Sequence, residues 1–101
     1  KLEAIISPLK SEDLEYISAQ DHHCHFHCLD QAEDRSARTS IRTLNEILPQ
    51  KNFIQVHRSF IVNANHIKIK YADKLILNSG SEVPISRSYK KAVAEFLEGS
   101  N

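Results

Sequence analysis

The sequence has little of several residue types that mark particular classes of protein. Its 101 residues include only two glycines and two cysteines, and methionine and tryptophan are absent. Two glycines are too few for a glycine-rich phosphate loop, and there is no second cysteine pair to complete a zinc site. No apolar run exceeds three residues, whereas a membrane-spanning helix needs about 20, so no membrane partner is expected.

The formal net charge is zero, with 13 basic and 13 acidic residues, but the two signs are unevenly distributed. Residues 1–50 contain nine acidic and five basic residues, while residues 51–101 contain four acidic and eight basic ones. Nucleic-acid-binding domains usually have a basic surplus, so the zero sum argues mildly against that partner. For a polyanion, however, the place where basic groups gather matters more than their sum.

The length predicts one domain, which we place at 1–101, because no linker and no internal repeat divides the chain. Its first residue is Lys1, and no basic, apolar and small-residue succession of the signal-peptide type follows. We therefore expect a fragment of a longer protein, cut at a domain boundary.

Alternating apolar residues and intervening turn residues predict a mainly β domain. We expect strands at 4–6, 14–18, 23–29, 36–41, 53–56, 66–69, 74–77 and 82–85. Thr43 and Glu46 fit a capping box, which predicts a short internal helix ended by Pro49. Ser86 is expected to cap a C-terminal helix, whose apolar residues recur at helical spacing as far as Gly99.

One short segment contains four histidines and two cysteines, residue types that bind zinc. A strand places His23, His25 and His27 on one face and Cys24 and Cys28 on the other, so four ligands do not converge. The cysteines are also about 13 Å apart along the strand, too far for a disulfide. We interpret them as core residues with free thiols, typical of a reducing, cytoplasmic compartment, and expect no metal and no cofactor. The alternative is a metal- or protein-binding β module that uses the three-histidine face.

The sequence carries no recognisable catalytic motif. Those of α/β-hydrolases, zinc proteases and phosphate loops are absent. Cys24 and His25 are adjacent, but neighbours on a strand point to opposite faces and do not pair as nucleophile and base. We therefore do not expect an enzyme.

The most informative stretch is 53–63, which is apolar and β-prone except where His57, Arg58 and Ser59 interrupt it. In one interpretation, Arg58 pairs with a carboxylate at a strand end. In the other, a loop offers its guanidinium to a phosphate or a base edge. The chemistry of the residues alone leaves both interpretations open.

The pattern F-x-x-V-H-R-S-F-I-V-N at 53–63, followed by Ile67 and by I-S-R-S-Y at 85–89, resembles the LytTR DNA-binding domain family. The likeness extends over nearly the whole chain. It implies a mainly β fold, an elongated sandwich of small antiparallel sheets with one short internal helix and a C-terminal helix. It also implies sequence-specific binding of double-stranded DNA without catalysis.

The same resemblance implies a biological setting. Members usually follow a receiver domain in a bacterial two-component response regulator and control transcription in the cytoplasm. They bind direct repeats in promoters as pairs, and loops rather than a recognition helix enter the major groove. The implied partners are therefore promoter DNA, an N-terminal receiver domain and a second copy on the DNA.

The family's three contact loops correspond to 21–25, 57–59 and 86–88, with His23, Arg58 and Arg87 as the implied base readers. In the first loop, Cys24 stands where the family often has a basic residue. The other implied DNA-binding residues are His57, Ser59, Ser86, Ser88 and Lys90. Further candidates for phosphate contacts are Lys68, Lys70 and Lys91.

Overall fold

The computed structural model describes residues 13–29 and 35–99, and within these ranges it contains eight strands and two helices. The strands are β1 (Leu14–Gln20), β2 (His23–Cys28), β3 (Arg35–Ala37), β4 (Phe53–His57), β5 (Phe60–Asn63), β6 (Ile67–Lys70), β7 (Lys74–Leu77) and β8 (Glu82–Pro84). The helices are α1 (Ile41–Ile47) and α2 (Lys90–Gly99), and short 3₁₀ turns form at Ala64–His66 and Arg87–Tyr89. The predicted strand at 4–6 lies outside the described residues.

The strands form two antiparallel sheets, one of five strands in the order β3-β2-β1-β5-β4 and one of three in the order β6-β7-β8. The principal extents are 34 × 24 × 24 Å. The predicted mainly β fold of small antiparallel sheets with a short internal and a C-terminal helix is confirmed. The apolar stretch at 53–63 becomes a hairpin of two strands. No helix in the described part of the chain is long and apolar enough to span a membrane.

The five-stranded sheet separates two hydrophobic cores, because successive residues of a strand face opposite sides. Ile17 and Ile61 are paired across β1 and β5 and lie in the core that α1 covers, together with Cys24, Phe26 and Leu44. The opposite core contains the following side chains of β4, β5, the three-stranded sheet, the segment after β8 and α2: Val56, Val62, Leu75, Leu77, Val83, Ile85 and Val93. The β4–β5 hairpin therefore contributes to both cores.

Two buried polar side chains link the ends of these elements. The Glu15 carboxylate is 2% exposed and accepts hydrogen bonds from the Ser79 amide (2.9 Å) and the Ser79 hydroxyl (2.6 Å), which joins β1 to the loop between β7 and β8. The Asn63 side-chain amide donates to the Leu14 carbonyl (2.9 Å), and its oxygen accepts from the Asn65 amide. Each buried group is thus satisfied by a partner distant in sequence or by the adjacent turn.

Both helix starts differ from the predictions. The N-cap of α1 is Ser40, whose hydroxyl accepts the Thr43 amide at 3.1 Å, so Thr43 lies inside the helix rather than capping it. Consequently the strand predicted at 36–41 ends at Ala37. Ser86 makes no side-chain capping bond, because the chain first forms the 3₁₀ turn Arg87–Tyr89 before α2 begins. The Ser86 hydroxyl is buried without a hydrogen-bond partner among the described residues.

Asp21 and His22 form the turn between β1 and β2, and its backbone is unusual. Gln20 pairs with His23, so the loop has two residues, and both have positive φ, 52° at Asp21 and 66° at His22. This is the signature of a type I′ turn, for which asparagine and glycine are preferred. A histidine in this left-handed region is uncommon and costs conformational energy.

Replacing His22 with glycine is therefore expected to stabilise the domain. His22→Gly removes the left-handed penalty and should raise the free energy of unfolding by about 0.5–1 kcal/mol, measured by urea denaturation followed by circular dichroism. His25→Gly is the matched control, because glycine in the interior of β2 should lower it by about the same amount. A loss of stability in His22→Gly would contradict the strained turn.

Candidate nucleic-acid interface

The β4–β5 turn presents Arg58. His57 ends β4, Phe60 begins β5, and the strand register shifts between Gln55 and His57. The His57 Nδ1 accepts the Ser59 amide at 3.1 Å, and its ring packs edge-on against Phe60 with centroids 5.4 Å apart. His57 thereby organises the turn, while Arg58 is exposed and forms no ion pair with any described residue. The sequence left open whether Arg58 is ion-paired at a strand end or exposed in a surface loop, and in the structure it lies in a surface loop.

The β1–β2 turn lies directly beside this loop. The Ala19 amide donates to the Ser59 carbonyl at 2.8 Å, which ties the end of β1 to the β4–β5 turn. His23 is exposed, and its Nδ1 lies 3.1 Å from the Asp21 carbonyl. A carbonyl only accepts, so Nδ1 carries the proton in this contact and Nε2 of the neutral ring is left as an acceptor.

The segment before α2 adjoins the other side of the same hairpin. The Ser86 amide donates to the Val56 carbonyl at 3.0 Å, and the Tyr89 amide donates to the Ser86 carbonyl at 2.9 Å. Arg87 and Ser88 follow and are exposed. The segments 21–25, 57–59 and 86–88 are thus brought together at one end of the five-stranded sheet, although up to 67 positions separate them in the sequence.

These side chains offer complementary hydrogen-bonding chemistry. The guanidinium groups of Arg58 and Arg87 are planar donors that match the O6 and N7 acceptors of guanine, or a phosphate. The free Nε2 of a neutral His23 accepts from an exocyclic amine of adenine or cytosine. The Nδ1 of His57 accepts an amide, so its neutral ring carries the proton on Nε2. The cluster can therefore both donate to and accept from base edges.

The four lysines that the sequence offers as candidate phosphate contacts occupy two regions. Lys90 and Lys91 begin α2, are exposed, and follow Arg87 closely in the chain. Lys68 and Lys70 are also exposed but belong to β6, at an edge of the three-stranded sheet. Neither of the two backbone hydrogen bonds that join the three segments involves β6.

The face formed by His23, His25 and His27 is only partly exposed. Only His23 is exposed, whereas His25 and His27 are half-buried. The His27 ring stacks on Tyr16 with centroids 4.1 Å apart, and its Nε2 lies 2.9 Å from the Ser18 hydroxyl. Within 13–29 and 35–99, no three histidine, cysteine, aspartate or glutamate side chains are placed to hold a metal ion. These contacts do not favour the alternative of a metal-binding module.

Cys24 is placed as the sequence predicts, fully buried on the face opposite the histidines. Burial raises the pKa of its thiol above the usual value, because the apolar surroundings disfavour the thiolate. Zinc ligation and nucleophilic attack both require the thiolate. Cys24 is therefore a core side chain.

The structure also places Arg38 beside the candidate interface, although the sequence predicted it within the strand at 36–41. Arg38 is exposed in the connection between β3 and α1, and it lines a cleft with the β1–β2 turn and Ser59. The strand pairing that places it there, between Cys24 and Ala37, is not readable from local sequence. A short edge strand gives no strong signal of where it ends.

Comparison with known proteins gives a consistent result. The family model of the LytTr DNA-binding domain matches residues 5–98. Sensory transduction protein LytT of Bacillus subtilis is 32% identical over 92 residues, covering 86% of this chain and 37% of that protein. A response regulatory protein of Yersinia pestis is 32% identical over 94 residues, covering 88% of this chain and 37% of its own length. The chain thus spans little more than a third of these relatives.

A solved structure shares the fold. The LytTr DNA-binding domain from a Bacillus cereus response regulator superimposes with a TM-score of 0.79 at 32% sequence identity. The alignment covers 85% of this chain and 82% of that one. The likeness therefore extends over both sheets rather than over one motif.

The burial of Cys24 predicts a protected thiol. In a Cys28→Ser variant, whose remaining thiol is Cys24, reaction with Ellman's reagent at about pH 8 should be at least tenfold slower in the native state than in urea. Cys24→Ser is the matched control, since Cys28 is only half-buried and should react faster. If native Cys24 reacts as fast as it does in urea, its thiolate is accessible, and the hypothesis of a metal-binding module would have to be reconsidered.

Proposed function

The chain belongs to the LytTR DNA-binding domain family, and on that premise we propose that it recognises promoter DNA through the three segments 21–25, 57–59 and 86–88. Domains of this family bind DNA and are non-enzymatic. His23, Arg58 and Arg87 are the proposed base readers. His57 positions Arg58, and Ser59, Ser88 and Lys90 are the proposed flanking contacts. The Ser86 hydroxyl is buried, so the proposed role of Ser86 is to hold its segment against Val56 through its backbone amide.

The observation that carries this proposal is the pair of backbone hydrogen bonds on either side of the β4–β5 hairpin. They join Ser59 to Ala19 and Val56 to Ser86, so that three loops share one end of the five-stranded sheet. Readers of the major groove must project side chains to the base edges at its floor, and two-stranded β elements as well as helices fit that groove. Exposed cations at this end supply attraction to phosphates despite the zero net charge.

The relatives support a wider role for the protein. Their names describe sensory transduction and response regulation, and each is much longer than this chain. The proposed setting is the output domain of a two-component response regulator, joined to an N-terminal receiver domain and acting in the cytoplasm. Two copies of the domain would occupy direct repeats in a promoter, which makes the proposed complex a dimer on DNA.

Substitution of either arginine is expected to weaken sequence-specific DNA binding while the domain stays folded. Once selection from a randomised duplex pool has identified the preferred sequence, Arg58→Ala and Arg87→Ala should each weaken its binding by about 1–3 kcal/mol, or roughly 5- to 150-fold. Each variant should also lose preference at one base position. Fluorescence polarisation measures the affinity, and repeating the selection with each variant shows the lost preference.

Lys51→Ala is the matched control, because it removes an exposed cation just before β4, at the end of that strand opposite the β4–β5 turn. Its affinity should stay within about twofold of the parent. If both folded arginine variants bind the selected duplex as tightly as the parent, the assigned contacts are wrong. If selection enriches no sequence at all, the proposed function itself is wrong.

A further inference from the structure

A cleft of about 460 Å³ opens beside the proposed base readers. One wall is the β1–β2 turn with Asp21, His22 and His23, and the other is the connection between β3 and α1 with Arg38. Ser59 of the β4–β5 turn also lines it. The cleft is thus lined by residues of two of the three proposed contact segments, 21–25 and 57–59.

Arg38 is held at this cleft by its neighbours on both sides. Ala37 is buried and pairs with Cys24 in the last register position of β2 and β3, so the chain leaves the sheet at Arg38. Next, the Cys24 thiol donates to the Thr39 carbonyl at 3.5 Å, and Ser40 caps α1. The backbone is therefore fixed, while the guanidinium is exposed and unpaired with any carboxylate of the described residues.

We propose that Arg38 binds a backbone phosphate of the DNA in this cleft, a fourth contact outside the three base-reading segments. This inference rests on the proposed function. The phosphate ridges that flank the major groove are convex, so a recess beside protruding turns fits a ridge, whereas base edges lie at the groove floor. A guanidinium matches phosphate oxygens with two parallel hydrogen bonds.

Asp21 lines the same cleft and opposes this contact. Its exposed carboxylate carries the same sign of charge as a phosphate and lowers the attraction that Arg38 supplies. Asp21→Asn removes that repulsion, and asparagine is favoured in a type I′ turn, so the turn is kept. The inference therefore requires opposite effects from Arg38→Ala and Asp21→Asn.

The test is a salt titration with a duplex of mixed sequence that lacks the selected site. Fluorescence polarisation is measured at about 50 to 200 mM KCl. Log K falls as log salt rises, and each lost phosphate contact makes this negative slope shallower by about 0.9. Arg38→Ala should weaken binding several-fold and lose about one such contact. Arg38→Lys should keep the slope, and Asp21→Asn should bind more tightly than the parent at low salt.

Arg42→Ala is the matched control, because Arg42 is an exposed arginine of α1 that does not line the cleft. It changes the net charge equally and should leave the slope unchanged. A second readout separates phosphate contacts from base readers. Arg38→Ala should weaken binding of the selected and the mixed duplex by the same factor. Arg58→Ala should instead reduce the ratio of the affinity for the selected duplex to that for the mixed duplex.

The outcomes distinguish this inference from the function on which it rests. If the parent binds neither duplex, the proposed function fails. If the parent binds and Arg38→Ala matches Arg42→Ala in affinity and slope, the phosphate contact is overturned while DNA binding stands. If Arg38→Ala does not fold, the phosphate contact is tested by Asp21→Asn and Arg38→Lys. An unchanged affinity in Asp21→Asn then overturns the inference.

Discussion

The arrangement of the whole candidate interface depends on the β4–β5 hairpin. Its side chains enter both cores, with Val56 and Val62 on one side of the sheet and Ile61 on the other, so its position is fixed by packing. From this fixed hairpin, the Ser59 carbonyl holds the end of β1 and the Val56 carbonyl holds the segment before α2. Because these hydrogen bonds already tie the loops to the hairpin, we expect DNA binding to cost less conformational entropy in them than it would in untethered arms.

The rest of the fold supports that hairpin and concentrates strain near the interface. Glu15 and Asn63 are buried and satisfied, and each connects β1 to another part of the chain. The turn at Asp21 and His22, by contrast, has positive φ at both residues, a conformation that costs glycine less energy than it costs other residues. Strained backbone often persists where a side chain is needed for function, and this turn adjoins His23 and the cleft of Arg38.

Local sequence predicts the elements better than their assembly. Strict alternation in residues 23–28 correctly places Cys24 and Phe26 in the core, because period 2 is a property of the strand itself. The start of α1 is misplaced because Ser40 and Thr43 both have capping hydroxyls, and only burial of Ile41 decides between them. The proximity of the loops 21–25 and 57–59 comes from the strand order β3-β2-β1-β5-β4, and the hydrogen bond from the Ser86 amide to the Val56 carbonyl adds the segment 86–88. That order is non-local, and only the family resemblance indicated that these loops act together.

The central claim is that DNA binds at the end of the five-stranded sheet where these loops meet. The most direct test is to titrate the ¹⁵N-labelled 101-residue chain with the selected duplex and to map the amide chemical-shift changes onto the sequence. The account predicts the largest changes at 21–25, 57–59 and 86–88, with β6 and β7 little affected. Changes centred on β6, or on the half-buried face of His25 and His27, would contradict it.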